Sequence, residues 1–119
     1  MIQRLFPTLE DQEYWFHEGC HIVETLNDPA DPHCSIVRAR VEPGDTTQWH
    51  WLEDTWERYV IQSGHGIAFV GDDRFEVGPG DIVLIPPATR QRINSLGSSD
   101  LVFLAVCTPR FQPGNYHSD

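Results

Sequence analysis

Apolar positions in this chain recur at intervals of two and in short blocks, not at the three-and-four spacing of an amphipathic helix. Between Glu57 and Ser63 the residues Glu57, Tyr59 and Ile61 fall on one face of an extended segment and Arg58, Val60 and Gln62 on the other. Comparable alternating or β-branched blocks predict strands at His21–Leu26, Ser35–Val41, Thr47–Leu52, Glu57–Ser63, Gly66–Val70, Arg74–Val77, Asp81–Ile85, Gln91–Asn94 and Leu101–Val106. Nine glycines and nine prolines punctuate them. The breaks Pro43-Gly44-Asp45, Gly71-Asp72-Asp73 and Gly78-Pro79-Gly80 carry turn chemistry: glycine takes positive φ, proline fixes φ, and Asp closes local turns. Many short strands at regular spacing predict an all-β sandwich or barrel. Met1 to Gly19 is less regular and reads as an edge strand or an arm. Residues 108–119 read as an extended tail, leaving a core at about 20–107 of a single 119-residue domain.

Charge narrows the partners. Eight basic and 18 acidic residues give a formal charge of −10, and every basic residue is arginine. Phosphate backbones and anionic membranes call for clustered positive charge, so nucleic acid and membrane surfaces are excluded as expected partners. Cys20, Cys34 and Cys107 are an odd set at wide spacing, which is not a disulfide framework. With no signal-peptide pattern at the start and no apolar run of about 20 residues, the expectation is a soluble, reduced, cytoplasmic protein.

Two glycine-bounded blocks carry a resemblance. In the first, Gly44 is followed by five residues and His50; Leu52 stands two positions on, then Glu57 and Gly64. In the second, Gly80 precedes Pro86, with Ala88, Gln91 and Asn94 after it. This resembles the cupins, whose first motif reads G-x5-H-x-H-x(3–4)-E-x6-G and whose second reads G-x5-P-x-G-x2-H-x3-N. Leucine and glutamine here replace two of the family's histidines, and alanine replaces a glycine. The resemblance implies a double-stranded β-helix, the jelly-roll or cupin barrel, often dimeric. It also implies a pocket in which three histidines and a glutamate bind one divalent ion.

On that footing His50, Glu57 and Gln91 are the candidate metal ligands. The mixed nitrogen and oxygen set suits iron, manganese, nickel or cobalt, with zinc a poorer match for Gln91. Gln48 and Leu52 share the face of His50 by strand parity, and Tyr59 shares that of Glu57, so these three are candidate substrate contacts. Glu57 is the residue most in need of explanation, because a carboxylate among apolar neighbours is costly unless paired, hydrogen-bonded or metal-bound. Hydrogen-bonded core roles for His50 and Gln91 remain open, as does an arginine partner for Glu57. Arg38 and Arg40 read as a solvent face or as a clamp for a substrate carboxylate. Trp49, Trp51 and Trp56 predict an outward apolar patch and a homodimer packed through it. Two functions follow. One is a metal-dependent enzyme oxidising, isomerising or cyclising a small organic molecule. The other is a non-catalytic small-molecule-binding or sensor barrel.

Overall fold

The computed structural model describes residues 2–119, and the chain folds as two antiparallel sheets facing each other. Eleven strands form in chain order: β1 (Tyr14–Phe16), β2 (Cys20–Leu26), β3 (Ser35–Val41), β4 (His50–Leu52), β5 (Trp56–Ser63), β6 (His65–Val70), β7 (Asp73–Val77), β8 (Ile82–Ile85), β9 (Gln91–Leu96), β10 (Leu101–Thr108) and β11 (Tyr116–Ser118). One sheet has the order β1-β2-β3-β10-β5-β8, the other β11-β4-β9-β6-β7. All nine strands expected from the alternation are present. Among the described residues no helix is long and apolar enough to cross a membrane.

Alternation decides which side chains meet between the sheets. On β5, Glu57, Tyr59 and Ile61 are buried, while Arg58 and Val60 lie on the outer face. On β9, Gln91, Ile93 and Ser95 are buried. β5 and β8 pair with Glu57 opposite Ile85, and β5 and β10 pair with Glu57 opposite Cys107. In the second sheet, β4 and β9 pair side by side with His50 opposite Gln91. The core proper, including Val41, Ile61, Ala68, Ile93, Leu101 and Phe103, packs between the two sheets.

Two backbone positions bear on the motifs. Gly64, which ends the first block, has φ +81°, and a Cβ there would overlap the carbonyl oxygen of Asp100. Only glycine meets both conditions. Ala88 stands where the resembled second motif has glycine, and its φ is 59° while its N–H donates to Leu52 O at 2.8 Å. A left-handed alanine costs about 1–2 kcal/mol, partly offset by the extra unfolded-state freedom of glycine. Ala88→Gly is therefore expected to stabilise the protein by about 0.5–1 kcal/mol, read as a raised urea midpoint at unchanged slope.

The termini are more ordered than the sequence suggests. The N-terminal arm lies on the outer face of β2 and β3. Arg38 pairs with Glu13 at 3.0 Å and also with Glu10; Arg40 pairs with Glu13 at 2.6 Å and Asp100 at 3.1 Å. Both arginines are thus used to hold the arm and point away from the interior. Residues 108–119 are not simply extended: β11 folds back along β4, with Tyr116 opposite Leu52 and Ser118 opposite His50.

The three indoles do not form one exposed patch. Arg90 and Arg92 lie over the Trp49 ring at 4.8 and 4.4 Å, with Phe69 beside it at 6.0 Å. Trp51 stacks on His117 at 5.7 Å. Trp56 alone of the three is strongly exposed, at 43%.

Candidate active site

His50, Glu57, Tyr59 and Leu52 all line one cavity of about 80 Å³ between the sheets. Its inner wall is completed by Glu18, Cys107 and Tyr116, and its outer part by Tyr14, Glu24 and Phe111. Its lining, mostly apolar and aromatic with a few polar groups, has the composition expected of a small-molecule site.

One of the sequence-derived candidates lies outside the cavity, and another borders it. Gln48 has an exposed side chain and does not line the cavity. The strand begins only at His50, so the two-residue parity drawn from Thr47 onwards does not hold: Thr47 turns inward, where its Oγ1 accepts from Ile93 N at 2.9 Å. Gln48 acts through its backbone. Its N–H donates to Glu18 O at 2.7 Å, and its carbonyl oxygen accepts from His50 Nδ1 at 2.8 Å. Gln91 is fully buried beside the site, and its amide oxygen accepts the Tyr59 hydroxyl in a hydrogen bond that spans the two sheets.

The Gln48 bonds fix the chemistry of His50. With Nδ1–H donated to a carbonyl, the neutral ring presents the Nε2 lone pair to the cavity. Burial keeps the imidazole below its ordinary pKa, against a smaller upward pull from Glu57. Glu18 Oε1 lies 3.1 Å from Nε2. Two lone pairs at that distance need a proton between them. Glu18 is the group placed to supply it, because burial pushes its carboxyl up to about 7, with Cys20 and Tyr116 pulling slightly the other way. Sequence reasoning gave no sign of Glu18. It sits in the turn between β1 and β2, some thirty residues from His50, and the Gln48–Glu18 backbone bond helps bring the two together.

Glu57 is the second titrating carboxyl. Burial raises it to about 7; His50, Gln91 and Cys107 favour its charged form, while Glu18 opposes it. Its Oε2 faces the Cys107 thiol at 3.8 Å, and its Oε1 is buried without a hydrogen-bond partner. Glu18 Oε2 has a matching thiol neighbour, Cys20, at 3.7 Å. Burial pushes both thiols well above their usual range, so they act as weak donors and not as nucleophiles. Tyr116 stacks on the His50 ring at 5.4 Å with 17° between planes, which closes the site from the β11 side. Phe111 and Tyr116, isolated aromatics in a polar tail, were the one sequence signal for that closure.

The donors present do not fit the four-ligand metal centre of the resembled family. Leu52 offers no donor at the second position, the Gln91 oxygen is engaged by Tyr59, and the His50 lone pair is turned onto Glu18. Among the described residues no group of three His, Cys, Asp or Glu side chains is placed to hold a metal ion.

Comparison with known proteins agrees with the fold. The family model described as a cupin domain matches residues 37–107. The chain is 32% identical over 77 residues to an uncharacterized protein of Methanocaldococcus jannaschii, covering 65% of this chain and 62% of that protein. It is 27% identical over 105 residues to the oxalate decarboxylase OxdC of Bacillus subtilis, covering 82% of this chain and 27% of that enzyme. The matches thus span less than two thirds of either relative's length. Among solved structures it resembles Streptomyces Pac13, a nucleoside dehydratase, with TM-score 0.82, 18% identity, and coverage of 99% of this chain and 92% of that one. A variant of the same protein with uridine superposes with TM-score 0.83 at 19% identity.

Proposed function

The chain belongs to the cupin domain family, and from that premise we propose that it is an enzyme using Glu18, His50 and Glu57 to move protons on a small carbonyl-bearing or hydroxylated molecule. The observation that carries this reading is the 3.1 Å approach of Glu18 to the free nitrogen of His50 inside an apolar cavity that Glu57 also lines. Two carboxyls poised at about 7 can each give or take a proton near neutral pH, which is what general acid–base catalysis requires.

The reaction class this favours is elimination of water. Glu57 Oε1, the oxygen without a partner, takes a proton from carbon next to a carbonyl. The electron pair forms the new C=C bond as the C–O bond breaks. The proton shared by Glu18 and His50 goes to the departing hydroxyl, which leaves as water. The cycle closes when the proton on Glu57 returns to the Glu18–His50 pair. That Pac13 is a nucleoside dehydratase, of similar structure, supports a hydroxylated ring compound such as a nucleoside as the first substrate class to test. Incubation with nucleosides and with β-hydroxy carbonyl compounds is expected to yield a product lighter by one water, detected by mass spectrometry. No water loss from any of them, together with no uridine binding by calorimetry, would remove this reading.

A second reading keeps the divalent cation expected of the family, whether iron, manganese, nickel, cobalt or zinc. It rests on Glu57 Oε1, a buried oxygen with nothing bound to it. Metal analysis of purified protein separates the two. Near one ion per chain, lost in both His50→Ala and Glu57→Ala, favours the cation; full activity in metal-free protein favours proton transfer alone. A barrel that binds uridine but never turns over any substrate would be the non-catalytic binding module.

A further inference from the structure

The cavity that holds His50 and Glu57 carries carboxyl groups at both ends. Glu18 and Glu57 stand on its inner wall and Glu24 in its outer part. Glu24 reaches it from β2, two residues beyond Ile22, which lines the same wall. At the start of that strand the Cys20 Sγ lies 3.7 Å from Glu18 Oε2, and from Cys20 to Glu24 the extended chain covers about 13 Å. Burial raises the pKa of the Tyr14 hydroxyl and the Glu24 charge adds to the effect, which puts these two groups near each other at the outer end.

No cation answers these carboxyls. Among the described residues no arginine lines the cavity, and the chain has no lysine. Arg38 and Arg40, read from sequence as a clamp for a substrate carboxylate, are taken by Glu10, Glu13 and Asp100. Arg58 donates to Thr108 Oγ1, and Arg110 donates to Asn27 Oδ1 at 2.9 Å. Arg74, Arg90 and Arg92 lie over the rings of Phe69 and Trp49, and Arg4 is exposed on the arm. His50 is the one histidine on the cavity wall, and both its nitrogens are engaged, Nδ1 by Gln48 and Nε2 by Glu18. Glu57, only 8% exposed, meanwhile leaves its Oε1 buried and unpaired. An acceptor left open in this way is matched by a donor, not by another oxygen anion.

We infer that this site admits uncharged or cationic molecules bearing hydroxyl or amino groups and turns away carboxylates and phosphates, with Glu24 setting that preference at the entrance. The inference rests on the reading that the cavity is where substrate binds. An anion that passed Glu24 and settled beside Glu57 would lose its water and find no counter-ion. Apolar walls strengthen the repulsion, because like charges there are poorly screened. A hydroxyl or ammonium group would instead donate to Glu24. Rejection by like charge shapes specificity as much as attraction does. Within the proposed reaction class, the site selects a nucleoside over its phosphate and a β-hydroxy ketone or aldehyde over a β-hydroxy acid.

The test is a set of matched ligands offered to the full chain: uridine with uridine monophosphate, and benzyl alcohol and benzylamine with benzoate. Affinity is read by calorimetry, and the place of binding by shifts of the Tyr116 and His50 ring signals in NMR. Uridine, benzyl alcohol and benzylamine are expected to move those signals, and the two anions to bind at least about 10-fold more weakly than their neutral counterparts. Glu24→Gln should narrow the gap, and Glu24→Arg, at an exposed position where circular dichroism checks the fold, should close or reverse it. Because the readout is binding, the charge preference is decided whether or not any compound loses water. If uridine does not bind, the benzyl series decides alone. A wild-type chain that takes benzoate or uridine monophosphate as tightly as the neutral counterpart would overturn the inference. So would an unchanged ratio in Glu24→Arg, or binding of none of the five.

Discussion

The protein is expected to gain stability as the pH falls from about 8 to about 5.5, the reverse of the trend for a protein stabilised by surface ion pairs. Glu18 and Glu57 are both raised from the ordinary 4.5 to about 7 by burial. A raised carboxyl binds its proton more tightly folded than unfolded. Between 4.5 and 7 the folded state therefore holds more protons, and stability is lost as the pH rises through that window. His50 works against this, because burial lowers its pKa and the unfolded state takes up that proton first below about 6.5. Two carboxyls outweigh one imidazole. Between about pH 8 and about pH 5.5 this amounts to at most about 2 kcal/mol for each carboxyl, and less for two that interact. Thermal melts at about pH 5.5 and pH 8 should then differ by several degrees, with the acid sample higher. Glu57→Gln should be more stable than wild type at the alkaline end and should flatten the slope. Equal melting points at both pH values, or an unchanged slope in Glu57→Gln, would mean that the carboxyl is not protonated on folding.

Fold and site differed in how far they could be read from the residues. Strand β5 was legible because one side faces a dry interior and the other does not, so Glu57, Tyr59 and Ile61 alternate with their neighbours. His50, Leu52, Glu57 and Tyr59 were placed in the interior on that basis and do share a cavity. Gln48 was misplaced because strand parity was counted from a residue that is not yet in a strand. Thr47 hides its hydroxyl by bonding Ile93, which breaks the count before His50. The exposed tryptophan patch failed for a different reason. Whether an indole on an outer face is bare depends on what stands beside it on neighbouring segments, and the arginines over Trp49 are Arg92 of β9 and Arg90 just before that strand. Glu18 was invisible because its role depends on long-range contacts, a backbone bond to Gln48 among them, and nothing in its local sequence marks a turn glutamate as buried. Contacts of that kind arise from how the sheets close and leave no periodic trace.

Glu18→Gln is expected to lower kcat by about 10²–10⁴-fold while leaving KM within a few-fold of wild type. The substitution keeps the length and shape of the side chain. Its amide N–H can still donate to His50 Nε2, so the ring, already held by its bond to Gln48 and by its stack on Tyr116, should keep its place. What the amide cannot do is release that proton to a departing hydroxyl or accept it back. A residue that only positions the ring would tolerate this change; a proton donor would not. His50→Ala should fall at least as far, and the double variant should be no worse than the poorer single one, because the two share one proton and act as a unit. The pH profile adds a readout that packing alone would not move. Wild-type activity should rise and fall around pH 7, where one carboxyl must be charged and the other protonated, and Glu18→Gln should lose the alkaline limb. Cys20→Ser, which changes only the weak thiol donor beside Glu18, should retain most of the activity. If Glu18→Gln turned over at the wild-type rate with both limbs intact, the acid would have to be sought elsewhere in the cavity, and Tyr116, stacked on His50 and lining the same wall, is the next hydroxyl within reach.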